Sequence, residues 1–181
     1  MCVNLKKHME KFKNKYRIPS ARLINWDYGS AGIYFITICT KNREHFFGEI
    51  RNGEMQLSEI GKNVQQEWLK TPKIRPDMNL HLGEFVVMPN HFHAILIIGQ
   101  NVYNSNYNGG NKFKYQSKNL PSIMRGFKSS VTMQARLLKN KDFNWQNGYH
   151  DHIVRNKESF DRIHIYIKNN PLKWNEDRFF D

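Results

Sequence analysis

Two histidines flanking a phenylalanine, His91-Phe92-His93, are the residues of this 181-residue chain whose types and spacing best suit chemistry. On an extended strand side chains alternate, so both imidazoles project from one face while Phe92 turns towards a core. Two imidazoles on one rigid strand make a preformed pair of metal ligands. The apolar run Ala94-Ile95-Leu96-Ile97-Ile98 anchors such a strand, and Pro89-Asn90 sets the pair beside a turn. Taken alone, the residues leave metal binding and two half-exposed strand histidines as equal readings.

A second signal lies near the C-terminus. Tyr166 and Asn170 are four apart and share a helix face, beside an apolar stripe of Phe160, Ile163 and Ile167. A tyrosine hydroxyl, with a pKa of about 10, is a poor nucleophile at neutral pH. A polarised phosphate and a local base would be needed to make it attack. The plain alternative is an amphipathic helix whose tyrosine packs its ring and hydrogen-bonds its hydroxyl. Another H-x-H, His150-Asp151-His152, has a polar centre and lacks the alternation that buries Phe92. Its neighbour Tyr149 is a rival nucleophile, but a structural or surface-lining role suits the segment better.

These residues need elements to hold them. Ile33 to Thr40 is β-branched and aromatic, a buried strand. Phe46–Ile50 and Met55–Leu57 about Asn52-Gly53 read as a hairpin. Ser58 caps a helix with an Ile60, Val64, Trp68 stripe that ends before Pro72. Leu80–Met88 and His91–Ile98 are two strands joined at Pro89-Asn90. Residues 100–119 are rich in Asn, Gly and Tyr and predict a long flexible loop. A helix from Pro121 to about Lys139 follows, then a short strand at Tyr149–Val154 and a last helix capped by Ser159 and ended by Pro171. This order predicts an α+β fold, the ferredoxin-like βαββαβ plan with an antiparallel sheet, helices on one face and an added C-terminal helix carrying the tyrosine. The expected organisation is a basic arm over residues 1–24 and one domain over 25–181.

Charge points to a partner. The chain carries +12 overall, with seven bases and one acid in residues 1–22 and eight bases and no acid in residues 112–141. The rest of the chain sums to −2. Two basic segments on a near-neutral body predict a polyanion-binding surface, with nucleic acid ahead of a membrane surface. Lys112, Lys114, Arg125, Lys128, Arg136 and Arg155 are the expected phosphate contacts. Tyr103, Tyr107, Phe113 and Tyr115 lie among or near them and can stack unpaired bases. No apolar run is long enough to span a bilayer, the start has no apolar signal core, and Cys2 and Cys39 make no disulfide framework. The expected compartment is a reducing cytoplasm.

The residues also match a family pattern. Val86-Val87-Met88-Pro89-Asn90-His91-Phe92-His93 resembles the HUH signature (His, hydrophobic, His) of single-tyrosine transposases. Tyr166-Ile167-Lys168-Asn169-Asn170-Pro171-Leu172-Lys173-Trp174 resembles the tyrosine-helix motif of the REP-associated tyrosine transposases, relatives of the insertion-sequence-200 type. Tyr34-Phe35-Ile36-Thr37 and His152-Ile153-Val154-Arg155-Asn156 are similar to further family blocks, and the likeness runs from about residue 25 to 180. It implies a strand-transfer enzyme acting on single-stranded, hairpin-bearing DNA as a monomer or homodimer. His91 and His93 would hold Mg²⁺ or Mn²⁺, Tyr166 would be the nucleophile forming a 5′-phosphotyrosine, and Asn170 would be a third ligand. The competing expectations are a related replication-initiator or relaxase-like nickase, and a non-catalytic nucleic-acid-binding module on the same fold.

Overall fold

The computed structural model describes residue 23 and residues 26–105, 117–177 and 179–180. Nearly all of the basic arm, and Lys112, Lys114, Tyr107, Phe113 and Tyr115, lie outside these residues. Among the described residues, six strands and three α-helices follow in order: β1 (Gly32–Cys39), β2 (Gly48–Arg51), β3 (Glu54–Leu57), α1 (Glu59–Ile74), β4 (Leu80–Val87), β5 (His91–Ile98), α2 (Leu120–Leu137), β6 (His150–Val154) and α3 (Lys157–Asn169). Strands β4-β5-β1-β6 form one four-stranded sheet, antiparallel throughout, and β2-β3 a separate hairpin. This is the α+β plan expected from the sequence.

Alternation along the strands gives the sheet two working faces. Tyr34, Ile36 and Ile38 of β1 and Phe92, Ala94, Leu96 and Ile98 of β5 point into the core with α1 and α2. Ile60, Val64 and Trp68 meet them from α1, and Ile123, Phe127 and Val131 from α2. Phe92 is fully buried, with its ring 5.1 Å from Trp68 and 5.4 Å from Phe127. The residues between, Phe35 and Thr37 on β1 and His91 and His93 on β5, face the other way, where α3 crosses β4 and β5. Phe92 thus roots the strand that displays both histidines. Phe92→Ala is expected to lower unfolding free energy by about 3–5 kcal/mol in a denaturant titration, because the aromatic cluster cannot close the cavity.

Local chemistry sets the element ends. Asn52 and Gly53 take positive φ of 54° and 77°, the pair of left-handed conformations that closes the β2-β3 hairpin. Ser58 accepts from Gly61 N at 3.1 Å and starts α1. That helix runs one turn beyond the expected end, with Pro72 inside it. In a last turn a proline forfeits one backbone bond, and Arg75 N closes the end on Pro72 O at 3.2 Å. The last helix starts earlier than expected, because Asn156 rather than Ser159 is its cap, accepting from Ser159 N at 2.8 Å. Among the described residues no helix is long and apolar enough to cross a membrane.

Candidate active site

The turn that presents His91 is clamped from outside the hairpin. Thr40 donates both its N–H and its hydroxyl to Asn90 O, at 2.9 and 3.0 Å, and Phe47 N–H donates to Pro89 O at 3.0 Å. Asn90 is itself fully buried; its amide donates to Phe179 O at 2.6 Å and its Oδ1 lies 2.8 Å from His91 Nδ1. Oδ1 can only accept, so Nδ1 of His91 carries the proton and Nε2 keeps its electron pair. On His93, Nδ1 lies 2.8 Å from the hydroxyl of Thr37, its cross-strand partner in β1. When Nδ1–H donates to that hydroxyl, Nε2 of His93 also presents an electron pair. Both rings are fully buried with centroids 4.5 Å apart, so the half-exposed alternative does not apply.

Helix α3 brings Tyr166 over this pair. Its hydroxyl is 3.1 Å from His93 Nε2 and donates to Asp177 Oδ2 across 3.4 Å. The tyrosine is 40% exposed although its hydroxyl sits against a buried imidazole. Phe35 stands edge-on to the Tyr166 ring at 6.2 Å and tilts against His93 at 5.3 Å, which sets the approach of helix to sheet. Asn170, one turn on, is 2% exposed and donates from Nδ2 to Asp177 Oδ2 at 2.8 Å. Its Oδ1 is buried with no hydrogen-bond partner among the described residues.

Asp177 is the residue the sequence reading missed. After α3 a 3-10 helix, Pro171–Glu176, turns the chain back, placing Trp174 against His91 at 6.0 Å and Phe179 against it at 4.7 Å. Asp177 follows that turn, and its carboxylate joins His91 and His93 in a group whose ligand atoms all lie within 4.8 Å of one another. Two imidazoles, a carboxylate and an unsatisfied buried amide oxygen suit Mg²⁺ or Mn²⁺. A carboxylate in irregular chain beyond a helix carries no periodic signal. Its only trace in the sequence is its short distance from the tyrosine. Thr37→Val keeps the side chain's shape and removes the partner of His93 Nδ1; a Kd for Mn²⁺ about 10- to 100-fold weaker by calorimetry is expected.

The other expected contacts are spread over the molecule. Arg125 and Arg136 are exposed on α2, across the sheet from Tyr166, and Arg155 is exposed just past β6. Lys128 donates to the carbonyls of Gln146 and Gly148 at 2.7 and 2.8 Å and lies over the Trp145 ring. Burial pushes its ammonium down to about 8, and the two carbonyls leave one of its three donors for a phosphate. Tyr103 donates to Asp77 at 2.7 Å, an anchor at the start of the long loop. Tyr149 packs against the core and lines a cleft with Pro121, Met124 and Arg125.

No protein-family model matches the chain. An uncharacterised protein of Haemophilus influenzae is 40% identical over 174 residues, covering 89% of this chain and 92% of its own. A solved structure of a REP-associated tyrosine transposase bound to a REP hairpin superposes with a TM-score of 0.54 at 19% identity, covering 91% of this chain and 74% of that one. The fold is therefore that of a tyrosine transposase. The chain belongs to one family with the Haemophilus influenzae protein.

Proposed function

We propose that this protein is a metal-dependent HUH single-tyrosine transposase that cleaves and rejoins hairpin-bearing single-stranded DNA through a 5′-phosphotyrosine. The observation that carries the reading is the meeting of Tyr166 Oη with His93 Nε2 at 3.1 Å, beside His91 and Asp177. A divalent ion held by His91, His93 and Asp177, with Asn170 Oδ1 beside them, would polarise the scissile phosphate. The chain's own residues do the rest. Tyr166 oxygen bonds to phosphorus as the bond from phosphorus to the 3′ oxygen breaks. The phenolic proton leaves to solvent water as the bond to phosphorus forms, and the departing 3′ oxygen takes up a proton from water, so the step is proton-neutral. The phosphotyrosine keeps the phosphodiester energy, so an incoming 3′-hydroxyl reverses the step and joins strands without ATP. His93 and Tyr166 come from one chain, which supports a site that works in cis.

Arg125, Arg136, Arg155, Lys112 and Lys114, with the remaining donor of Lys128, are assigned to phosphate contacts distant from the scissile bond. The test incubates end-labelled stem-loops from the host's palindromic repeats with protein and Mn²⁺. A covalent protein–DNA band on a denaturing gel, lost with chelator and mapped to Tyr166, is the expected result. Tight hairpin binding with the metal bound and no covalent band would leave a binding module in place of an enzyme.

A further inference from the structure

Across the sheet from Tyr166, a cleft of about 440 Å³ is lined by Pro121, Met124, Arg125 and Lys128 of α2 and by Gly148 and Tyr149 ahead of β6. The four helical residues recur at three- and four-residue spacing and so share one face of α2. Gly148 takes a φ of 76°, and among the described residues nothing stands within 4 Å of where a Cβ would be, so that side of it is open. Lys128 is held in this cleft. Its Nζ donates to the carbonyls of Gln146 and Gly148 at 2.7 and 2.8 Å and stands over the Trp145 ring at 5.7 Å. Two N–H groups satisfy both carbonyls, and the ammonium and the neutral amine each possess two. The remaining tetrahedral position holds a third N–H in one form and the nitrogen's electron pair in the other. Losing a proton therefore costs Lys128 neither hydrogen bond.

We infer that Lys128 is a site of covalent acylation, taking the acyl group of a small acyl phosphate bound in this cleft. Arg125, three residues earlier on the same helix face, is the charged donor for the phosphate oxygens. The amine nitrogen bonds to the acyl carbon as the bond from that carbon to the bridging oxygen breaks. Inorganic phosphate leaves with the electron pair, and the surplus proton on nitrogen passes to water. The groups that set the lysine's charge are Arg125 on its own helix, Tyr149 ahead of β6 and the Cys39 thiol at the end of β1, and none of the three is a carboxylate. With burial pushing the ammonium down to about 8, about a tenth is neutral at pH 7, against roughly one part in 2500 for an ordinary lysine. A weaker base is also a weaker nucleophile, which leaves a net gain in rate of about tenfold. The product is an uncharged amide with a single N–H. Acylation thus removes a cation and one of the two ties on the segment leading into β6. Neither the tyrosine nor a metal ion takes part, so the site stands or falls independently of the proposed function.

The experiment incubates the full chain with acetyl phosphate across a pH series and counts acetyl-lysine at each position by mass spectrometry of digests. The exposed Lys73, Lys139 and Lys141 serve as references in the same tube. At pH 7 Lys128 should be acetylated about tenfold faster than the references, and its rate should level off above about pH 8 while theirs keep climbing. Equal rates at pH 7, or a Lys128 rate that climbs alongside the references, would overturn the site. Recognition of the phosphate is read with a second, uncharged donor, the N-hydroxysuccinimide ester of acetic acid. The ratio of the Lys128 rate with acetyl phosphate to its rate with the ester should fall about fivefold in Arg125→Gln. Excess inorganic phosphate gives a readout that needs no variant, because it should slow acetyl phosphate at Lys128 and leave the references as they were. A ratio that Arg125→Gln does not change, with no protection by phosphate, would overturn the acyl-phosphate site and leave only a reactive amine.

Discussion

Tyr166→Phe will remove covalent DNA capture by about 10⁴-fold or more, because deleting a nucleophile removes an interaction that only the transition state uses. The substitution deletes one oxygen and leaves the ring, so the edge contact with Phe35 and the covering of His93 survive. Tyr166 sits at 40% exposure on α3, where Ile167 supplies the fully buried contact. The melting temperature should therefore stay close to wild type. Hairpin affinity should stay close too, since the phenolic hydroxyl contributes one contact among many phosphate contacts. The measurement pairs a denaturing-gel count of covalent product with an anisotropy titration on one protein preparation. Capture retained in Tyr166→Phe would move the nucleophile to another residue, and Tyr149 would be the next to replace.

The fold was legible because its strands carry strong local signals. Alternation in His91-Phe92-His93 reads as two imidazoles out and one ring in, and β5 has that arrangement. Asn52-Gly53 marks its hairpin for the same reason it forms it, the positive φ of both residues. Pro72 and Asn156 mislead in a shared way, since each acts at a helix end, where one turn more or less costs little free energy. The two histidines and the tyrosine stand out as candidates by spacing and family likeness, but their meeting is a tertiary fact, made by α3 crossing β4 and β5. The place of Asp177 depends on chain reversal, and the pairing of Thr37 with both His93 and His150 on register across three strands, which no window of sequence encodes.

The second large effect is expected at Asp177. Two neighbours compete for the third position around the histidines, a charged carboxylate from irregular chain and a neutral amide from α3. Charge decides between them, because a carboxylate attracts a divalent ion strongly in a buried site and an amide offers only its dipole. Asp177→Ala should weaken Mn²⁺ binding by about 100-fold, equal to about 2.7 kcal/mol, and Asn170→Ala by about tenfold or less. The two are coupled, since Asn170 Nδ2 donates to Asp177 Oδ2. The double variant should accordingly lose less than the two single losses combined. Asp177 also accepts from Phe179 N at 2.7 Å, so its removal loosens the turn that packs on both histidines. Asp177→Asn separates these roles, because an amide oxygen can still accept from Phe179 N while the charge is gone. Metal affinity lost in Asp177→Asn as in Asp177→Ala assigns the carboxylate to the ion. Affinity kept in Asp177→Asn confines it to holding the turn and gives the third position to Asn170.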